Sequence, residues 1–319
     1  MPYRCMVICF MKTLYAGLTE PLQISIELNN KCGMNCYFCT KARNNKEINI
    51  KIIKKFIYHI RNSKLLTSIM LSGGEPLGSK YLHDIIKICK KKHIAISIDT
   101  NINFKLDHIK FPDVNQIRVK VFSTSQNKHD KITGVKGHFK KTCDFLDIIQ
   151  NDFKGSKVIL FPVLNSNFKY LNDIMDFAKK RDMFLNIFFY PKSCSDPISK
   201  RNFWLIGRKL DQIVAKGNKN IFVDAPLFGT RFHHLEGWCP ANKILMHISY
   251  NGAVKPCKFS DEIMGFLSRE SVNAIWMNRI FKIPDKCIGC NFAEICAGGC
   301  IVNRNKEFNA DYLCVYKEK

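Results

Sequence analysis

The chain has 319 residues, of which 46% are hydrophobic, and this suffices to bury the core of one large domain with a smaller module. No stretch of about 18 apolar residues occurs, which excludes a membrane-spanning helix. Basic residues exceed acidic residues by 50 to 27, giving a formal net charge of +23. The lysines are spread along the chain rather than gathered in one stripe, so nucleic acid is not a favoured partner.

Residues 1–22 form an N-terminal extension before the first predicted strand. Its apolar start lacks a small-residue cleavage site of the secretory kind, so we expect a cytoplasmic protein. In that compartment the fifteen cysteines of the chain favour metal binding over disulfide bonds.

Three cysteines follow the first predicted strand, residues 23–28. Cys32, Cys36 and Cys39 are separated by three and then by two residues. Thiolates are soft ligands that suit iron–sulfur clusters, zinc and Cu(I). A [4Fe–4S] cluster normally takes four thiolates, so three leave one iron without a protein ligand. From these residues alone, a zinc knuckle and a partial disulfide framework remain open.

A second predicted strand, residues 68–72, leads directly into Gly73, Gly74, Glu75 and Pro76. Two glycines allow the backbone to approach a ligand closely. A glutamate can accept hydrogen bonds from an ammonium group. Phe38, just before the third cysteine, is of the type that packs beside a heterocycle.

Together the two motifs resemble the radical S-adenosylmethionine (SAM) superfamily. The resemblance implies a [4Fe–4S] cluster on Cys32, Cys36 and Cys39 that binds SAM at its open iron. It also implies reductive cleavage of SAM to methionine and a 5′-deoxyadenosyl radical, which removes a hydrogen atom from a substrate. An electron donor such as flavodoxin or ferredoxin is expected. The implied SAM contacts are Phe38, Gly73, Gly74, Glu75, Pro76, Asn101 and Ser123.

Strands and helices alternate six times between residues 23 and 216, which predicts an α/β fold with a parallel sheet. Relatives close such a sheet into a partial (β/α)6 barrel that is similar to a TIM barrel, and we expect the same here. The remaining predicted strands are residues 94–99, 117–122, 157–164 and 184–190. The predicted helices are residues 48–62, 80–91, 139–151, 170–182 and 199–216.

A second, cysteine-rich module is expected over residues 217–319. Its seven cysteines are Cys239, Cys257, Cys287, Cys290, Cys296, Cys300 and Cys314. Their order resembles the SPASM extension of radical SAM enzymes, a small α+β domain with auxiliary iron–sulfur clusters.

The SPASM resemblance implies two auxiliary [4Fe–4S] clusters with interleaved ligands. One is held by Cys239, Cys257 and Cys300, and its fourth iron has no cysteine. The other is held by Cys287, Cys290, Cys296 and Cys314. A pair of structural zinc sites is the alternative, because Cys-x2-Cys is also a zinc spacing.

Three residues are candidates for completing the reaction. In sulfatase-maturing relatives, an aspartate that acts as a base directly follows the cysteine that corresponds to Cys257. This chain has Lys258 at that position, so we do not expect it to mature sulfatases. Asp261 is close by in sequence. Cys194 follows the sixth predicted strand, where a thiol could return a hydrogen atom to a substrate, as in an epimerase; a loop cysteine without a role is the alternative.

The resemblance extends to maturases of ribosomally synthesised peptides and to enzymes like anaerobic sulfatase maturases. A peptide substrate, with cross-link formation or epimerisation, is the first hypothesis. About 22 residues precede the first strand, too few for a peptide-recognition domain, so a separate recognition protein is a possible partner. The alternatives are oxidation or epimerisation of a small molecule such as a sugar, aminoglycoside or tetrapyrrole, and a non-enzymatic zinc-ribbon protein that binds nucleic acid.

Overall fold

One mixed β-sheet forms the centre of the fold in the computed structural model, which describes residues 17–40, 44–102, 113–235, 237, 239–279, 283–304 and 310–316. The strands of these residues are β1 Gln23–Glu27, β2 Ser68–Ser72, β3 Ala95–Thr100, β4 Gln116–Lys120, β5 Ser156–Val163, β6 Phe184–Phe189, β7 Ile221–Asp224, β8 Leu245–Ile248, β9 Ala253–Lys255 and β10 Gly265–Phe266. Their α-helices are α1 Ile50–Asn62, α2 Leu82–Lys91, α3 Gln126–Thr133, α4 His138–Asp152, α5 Leu171–Lys180, α6 Lys200–Ala215, α7 Val272–Met277 and α8 Ala293–Cys296. Residues 1–16 of the predicted N-terminal extension lie outside the described part.

The strand order across the sheet is β10-β9-β8-β1-β2-β3-β4-β5-β6-β7. Strands β1 to β7 pair in parallel with their neighbours in sequence, which confirms the predicted α/β fold. Strand β8 pairs in parallel with β1 on the other side and continues into the antiparallel β9 and β10. The loops after β1 to β7 therefore meet at one edge of the sheet, where α/β folds place their ligand sites.

The helices cover the sheet through narrow apolar faces. In α1, the buried Ile53, Phe56 and Ile60 recur at helical spacing, as expected for an amphipathic helix. Strand β5 is buried continuously along residues 158–163, because a parallel strand is covered on both faces. Each fully buried Ile or Phe side chain contributes about 1.5–3 kcal/mol to folding, so this core holds the loops at the sheet edge in place.

Helix α3 and strand β7 are among the elements that have no counterpart in the sequence-based prediction. Helix α3 is polar along most of its length, so its sequence lacks the spacing of apolar residues that predicts a helix. The helix ends before Gly134, which has a φ of +67°. Strand β7 is short and alternates between half-buried and exposed residues. It pairs with β6, so the sheet continues past residue 217, where the second module is predicted to begin.

Within the described part of the chain, no helix combines the length and the apolar character needed to cross a membrane.

Candidate functional site

The three-cysteine loop follows β1 at the carboxyl edge of the sheet. Cys32, Cys36 and Cys39 are half-buried free thiols. The backbone N–H of Asn35, within this loop, donates a hydrogen bond of 2.8 Å to the carbonyl oxygen of Thr133 at the end of α3. The loop therefore depends on α3 as well as on β1 for its position.

Gly73 and Gly74 pack against the backbone at the start of this loop. The N–H of Gly74 donates to the carbonyl oxygen of Asn29 at 2.9 Å. A side chain at Gly73 would collide with the backbone of Asn29, and one at Gly74 with the backbone of Lys31. Gly73 also has a φ of +140°, which favours glycine. The glycine pair therefore brings the loops after β1 and β2 into direct contact.

Glu75 joins the ends of β2 and β3. Its carboxylate accepts hydrogen bonds from Oγ1 of Thr100 at 2.8 Å and from the N–H of Asn101 at 3.0 Å. Its own N–H donates to the side-chain oxygen of Asn29 at 3.1 Å. The buried carboxylate of Glu75 thus accepts hydrogen bonds from groups of the protein itself. Its expected contact with an ammonium group stays a prediction.

Asn101 forms hydrogen bonds with three neighbouring segments of the chain. Its side-chain Nδ2 donates to the carbonyl oxygen of Gly74 at 2.7 Å, and its Oδ1 accepts from Nζ of Lys120 at 2.8 Å. Its carbonyl oxygen lies 2.8 Å from Nε2 of His138. The amide group is therefore held in one orientation at the end of β3.

A cavity of about 370 Å³ opens between these loops. The sequence-predicted residues that line it are Cys32, Cys36, Phe38, Cys39, Gly73, Gly74, Asn101, Cys194, Lys258 and Asp261. Glu75, Pro76 and Ser123 are buried and lie outside the lining, so their contacts with a ligand remain predictions. Residues between 249 and 263 form part of the wall, which means that the C-terminal region covers one side of the cavity.

One wall of the cavity is aromatic. The ring of Phe38 lies 5.4 Å from that of Phe122 and 4.6 Å from that of Tyr190, measured between centroids. Tyr190 in turn lies 5.2 Å from Phe259, which follows β9. Such edge and tilted contacts make a firm apolar surface that suits a flat ring or an apolar side chain.

The cavity lining also contains charged groups. The buried carboxylate of Asp99 lies 3.1 Å from Nε of Arg118 and 3.5 Å from Nζ of Lys258. Burial alone would raise the pKa of Asp99, but the positive charges of Arg118, Lys258 and Lys120 lower it overall. Asp99 is therefore ionised at neutral pH, and it fixes the position of Lys258.

The remaining two candidates differ in exposure. Cys194 is 6% exposed and packs with Phe38, Phe122 and Leu164. Burial raises the pKa of its thiol, so the group is protonated at neutral pH. Asp261 is an exposed residue at the rim of the cavity.

The first group of C-terminal cysteines contains Cys239, Cys257 and Cys300. Burial raises the pKa of the Cys300 thiol well above its usual value, and the charges of Cys239 and Cys257 raise it further. Burial raises the pKa of Cys239 to about 11, again with Cys257 contributing. These three thiols are thus close enough to interact, and the N–H of Cys300 donates to Oδ2 of Asp311 at 2.9 Å.

The second group surrounds Cys296. Burial raises the pKa of its thiol to about 11, and Cys287 and Cys314 contribute to this shift. The N–H of Cys290 donates to the carbonyl oxygen of Cys287 at 3.1 Å, so Cys290 lies on the same turn. The two ligand sets implied by the resemblance, and the ions that the thiols bind, stay predictions.

Among the described residues, no three His, Cys, Asp or Glu side chains converge closely enough to hold a single metal ion. Thiolates on one zinc ion each lie at about 2.3 Å from it and hence close to one another. The ligands of a four-iron cluster are spread around a larger body. Thiolates suit both zinc and iron–sulfur clusters, so the choice between them stays a prediction.

The cavity residues without a counterpart among the sequence-based predictions include Asp99, Lys120 and Tyr190. A usable signal exists, because each lies in or just after a predicted parallel strand, toward its carboxyl end. Polar residues at such positions point to a site in α/β folds.

The family model described as "Radical SAM superfamily" matches residues 26–178. The chain is 27% identical over 287 residues to the "Probable GTP 3′,8-cyclase" of Methanococcus aeolicus, covering 79% of this chain and 89% of that protein. It is 24% identical over 339 residues to the "Cysteine-type anaerobic sulfatase-maturating enzyme" of Clostridium novyi, covering 88% and 87%. The fold is similar to that of Streptococcus suis SuiB bound to precursor peptide SuiA, with a TM-score of 0.75, 15% identity, and 98% and 80% of the two chains covered.

The likeness to SuiB confirms the predicted partial barrel. The family match begins within β1, includes the three-cysteine loop and the glycine pair, and ends within α5. Within this range, the structure brings the three thiols, Gly73, Gly74 and Asn101 to one cavity. Residues 26–178 therefore form a radical SAM domain, and the protein that carries this domain is an enzyme.

Proposed function

We propose that this radical SAM enzyme is of the SPASM type and modifies a ribosomally synthesised peptide, by forming a cross-link or by epimerisation. One observation carries the proposal: the three-cysteine loop, the candidate SAM contacts and residues of the C-terminal region line the same cavity. A reactive centre would thus be covered by the module that carries the other seven cysteines. SuiB, which shares the fold, is described with a precursor peptide bound, which supports a peptide as substrate.

Cys32, Cys36 and Cys39 would hold the SAM-binding [4Fe–4S] cluster. When bound, the cluster and SAM supply the electron and the radical that takes a hydrogen atom from the substrate, with flavodoxin or ferredoxin as the electron source. The chain's own contribution is to bind and orient. Asn101 would hold the nucleoside end of SAM, and the aromatic wall around Phe38 would pack beside its heterocycle and exclude water.

The two groups of C-terminal cysteines would hold two auxiliary [4Fe–4S] clusters. Support comes from the interaction of Cys300 with Cys239 and Cys257, and of Cys296 with Cys287 and Cys314. A separate protein would supply recognition of the peptide's leader.

Lys258 would orient the substrate. Its ammonium group is paired with Asp99 at 3.5 Å and lies 5.2 Å from the ring of Phe259. An ammonium group held in this way attracts a carboxylate or a carbonyl oxygen of the peptide. Asp261 at the rim would contact the peptide as it enters.

Epimerisation has a specific candidate residue in Cys194. Its protonated thiol lines the same cavity as the three-cysteine loop. After hydrogen-atom removal from an α-carbon, the S–H bond would break and its hydrogen atom would form the new C–H bond on the opposite face. The sulfur radical would then take one electron from the donor and one proton from water.

A second candidate function is the conversion of an anionic small molecule. Lys120, Lys255 and Lys258 all line the cavity, and one relative is named a GTP cyclase. Triphosphates attract clustered ammonium groups. GTP is therefore the small molecule to compare with a peptide.

The test is anaerobic incubation of iron–sulfur-loaded protein with SAM, a reductant and either a candidate precursor peptide or GTP. We expect 5′-deoxyadenosine in all mixtures and a mass change only with the peptide. Loss of two hydrogen atoms indicates a cross-link, and uptake of solvent deuterium without other change indicates epimerisation. Product from GTP but not from the peptide would favour the second function.

Serine replacement of Cys32, Cys36 and Cys39 together must abolish 5′-deoxyadenosine formation. The matched control is Cys143→Ser, a half-buried thiol outside both cysteine motifs, which must leave it intact. Cys194→Ala must abolish deuterium uptake if the enzyme epimerises. Turnover by the triple variant would contradict the proposal outright.

A further inference from the structure

Two buried histidines connect Asn101 to the loop after β4. His129 lies on α3 and His138 begins α4, and they are 0% and 4% exposed. Their rings are stacked, with centroids 5.2 Å apart and an angle of 18° between the planes. Buried polar rings are costly unless they are hydrogen-bonded, so their partners are informative.

The hydrogen bonds of the pair form one directed chain. The carbonyl oxygen of Asn101 can only accept, so Nε2 of His138, at 2.8 Å, must carry the proton. In a neutral ring Nδ1 is then bare, and it accepts from Nε2 of His129 at 3.0 Å. The bare Nδ1 of His129 faces the backbone N–H of Phe122 at 3.4 Å. Each ring is therefore a neutral link with its proton on Nε2.

The surroundings keep both rings neutral. Burial, together with the neighbouring His138, lowers the pKa of His129 to about 3. Burial also lowers the pKa of His138; the charge of Asp130 opposes this shift and that of Lys141 adds to it. The carboxylate of Asp130 is engaged elsewhere, because it accepts from the N–H groups of Gly137 at 2.6 Å and Phe139 at 2.9 Å.

Helix α3 also contacts the three-cysteine loop. The carbonyl oxygen of Thr133 accepts from the N–H of Asn35 at 2.8 Å, one turn after His129. The same helix is thus bonded to the cysteine loop at its end and, through the two histidines, to Asn101. A short rigid helix with contacts at both places sets the distance between them.

We propose that His129 and His138 are positioning residues, which hold Asn101 at a set distance from the three-cysteine loop so that both can engage one SAM molecule. The inference rests on the proposed function, because it takes Asn101 as a SAM contact. Loss of the histidine link frees the carbonyl of Asn101 and lets the side chain move away from Gly74 and Lys120. SAM affinity then falls, while the fold persists.

The test compares three variants of the iron–sulfur-loaded full-length protein by anaerobic calorimetric titration with SAM. His138→Leu keeps the bulk but removes the hydrogen bonds to Asn101 and His129. His138→Gln keeps an amide N–H that can donate to Asn101. His59→Leu is the matched control, because His59 is another buried histidine, on α1, with no part in the chain of bonds. Urea unfolding of each variant reports the stability of the fold.

We expect His138→Leu to weaken SAM binding about tenfold, the effect of one to two lost hydrogen bonds. We expect His138→Gln to stay within about threefold of the parent, and His59→Leu to bind as the parent does. Unchanged affinity in His138→Leu, failure of His138→Gln to restore binding, or an equal loss in His59→Leu would each overturn the inference alone. A parent protein that fails to bind SAM would instead overturn the proposed function, and the inference with it.

Discussion

Lys258 and Asp99 form an ion pair between the C-terminal region and the parallel sheet, with 3.5 Å between Nζ and Oδ2. The two residues are 159 positions apart in sequence. Arg118 also contacts Asp99, at 3.1 Å, so one buried carboxylate balances two cations. The pair ties the loop after β9 to the end of β3 at the wall of the cavity.

Replacing Lys258 by methionine should reduce product formation about tenfold or more, the effect of one lost charge-assisted hydrogen bond. SAM affinity should stay near that of the parent, because Asp99 keeps Arg118 as its partner. The measurement is the ratio of modified substrate to 5′-deoxyadenosine, which should fall. Lys258→Arg keeps the positive charge and should recover part of the activity. A parallel loss of SAM affinity would show that Lys258 supports the SAM site instead of the substrate.

Replacing Asp99 by asparagine should lower the free energy of unfolding by about 3 kcal/mol, because the partly buried Arg118 then loses the charge of its buried partner. Asp147→Asn is the matched control. It removes another Asp–Arg pair, with Arg181, but the Asp147 side chain is 64% exposed, so the expected loss is below about 1 kcal/mol. Urea unfolding measures both. Equal losses would mean that Asp99 is better solvated than its position implies.

The parallel sheet could be predicted because its signals are local. The apolar run at residues 158–163 and the spacing of Ile53, Phe56 and Ile60 each show a pattern that one strand or one helix produces. Helix α3 could not be predicted, because its polar residues are stabilised by contacts with distant segments, such as Asn35. Strand β7 is too short and too exposed for its sequence to show a strand pattern. It is a strand because it pairs with β6.

The residues of the candidate site, too, could be predicted only where the sequence signal is local. The positions of Cys32, Cys36 and Cys39 can be predicted as a ligand set because their spacing lies within one loop. The contact of Lys258 with Asp99 depends on the order of strands in the sheet, which places β8 and β9 beside β1. No local pattern encodes that order, so long-range partners of a known motif emerge only from the fold.

His59 should make the protein less stable as the pH falls. Its burial lowers its pKa from 6.5 to about 4 in the folded state, with Glu20 opposing the shift. Between these values the unfolded chain binds more protons, so stability declines as the pH falls below about 6.5 and the decline levels off near 4. The expected loss between pH 7 and pH 5 is about 2 kcal/mol. His59→Leu should remove that part of the pH dependence in urea unfolding; an identical pH profile would contradict the burial of a neutral ring.

Replacing Gly134 by alanine should prevent loading of the SAM-binding cluster. The new methyl group would collide with the backbone of Asn35 and displace the three-cysteine loop. Gly137→Ala is the matched control, because Gly137 also has a positive φ, of +77°, but open space where the methyl group would lie. Both variants carry a backbone strain of about 1 kcal/mol. Only Gly134→Ala should lose about four iron atoms per chain on anaerobic reconstitution.

Serine replacement of Cys300 or Cys296 should remove different auxiliary clusters. The two thiols interact with separate partners, Cys239 and Cys257 in one case and Cys287 and Cys314 in the other. Each single variant should therefore lose about four iron atoms per chain and the double variant about eight, while Cys143→Ser should lose none. Iron and sulfide analysis after anaerobic purification measures this. Loss of all the iron of the C-terminal region in either single variant would show that the seven cysteines bind one cooperative unit, and stoichiometric zinc in the parent would exclude auxiliary iron–sulfur clusters.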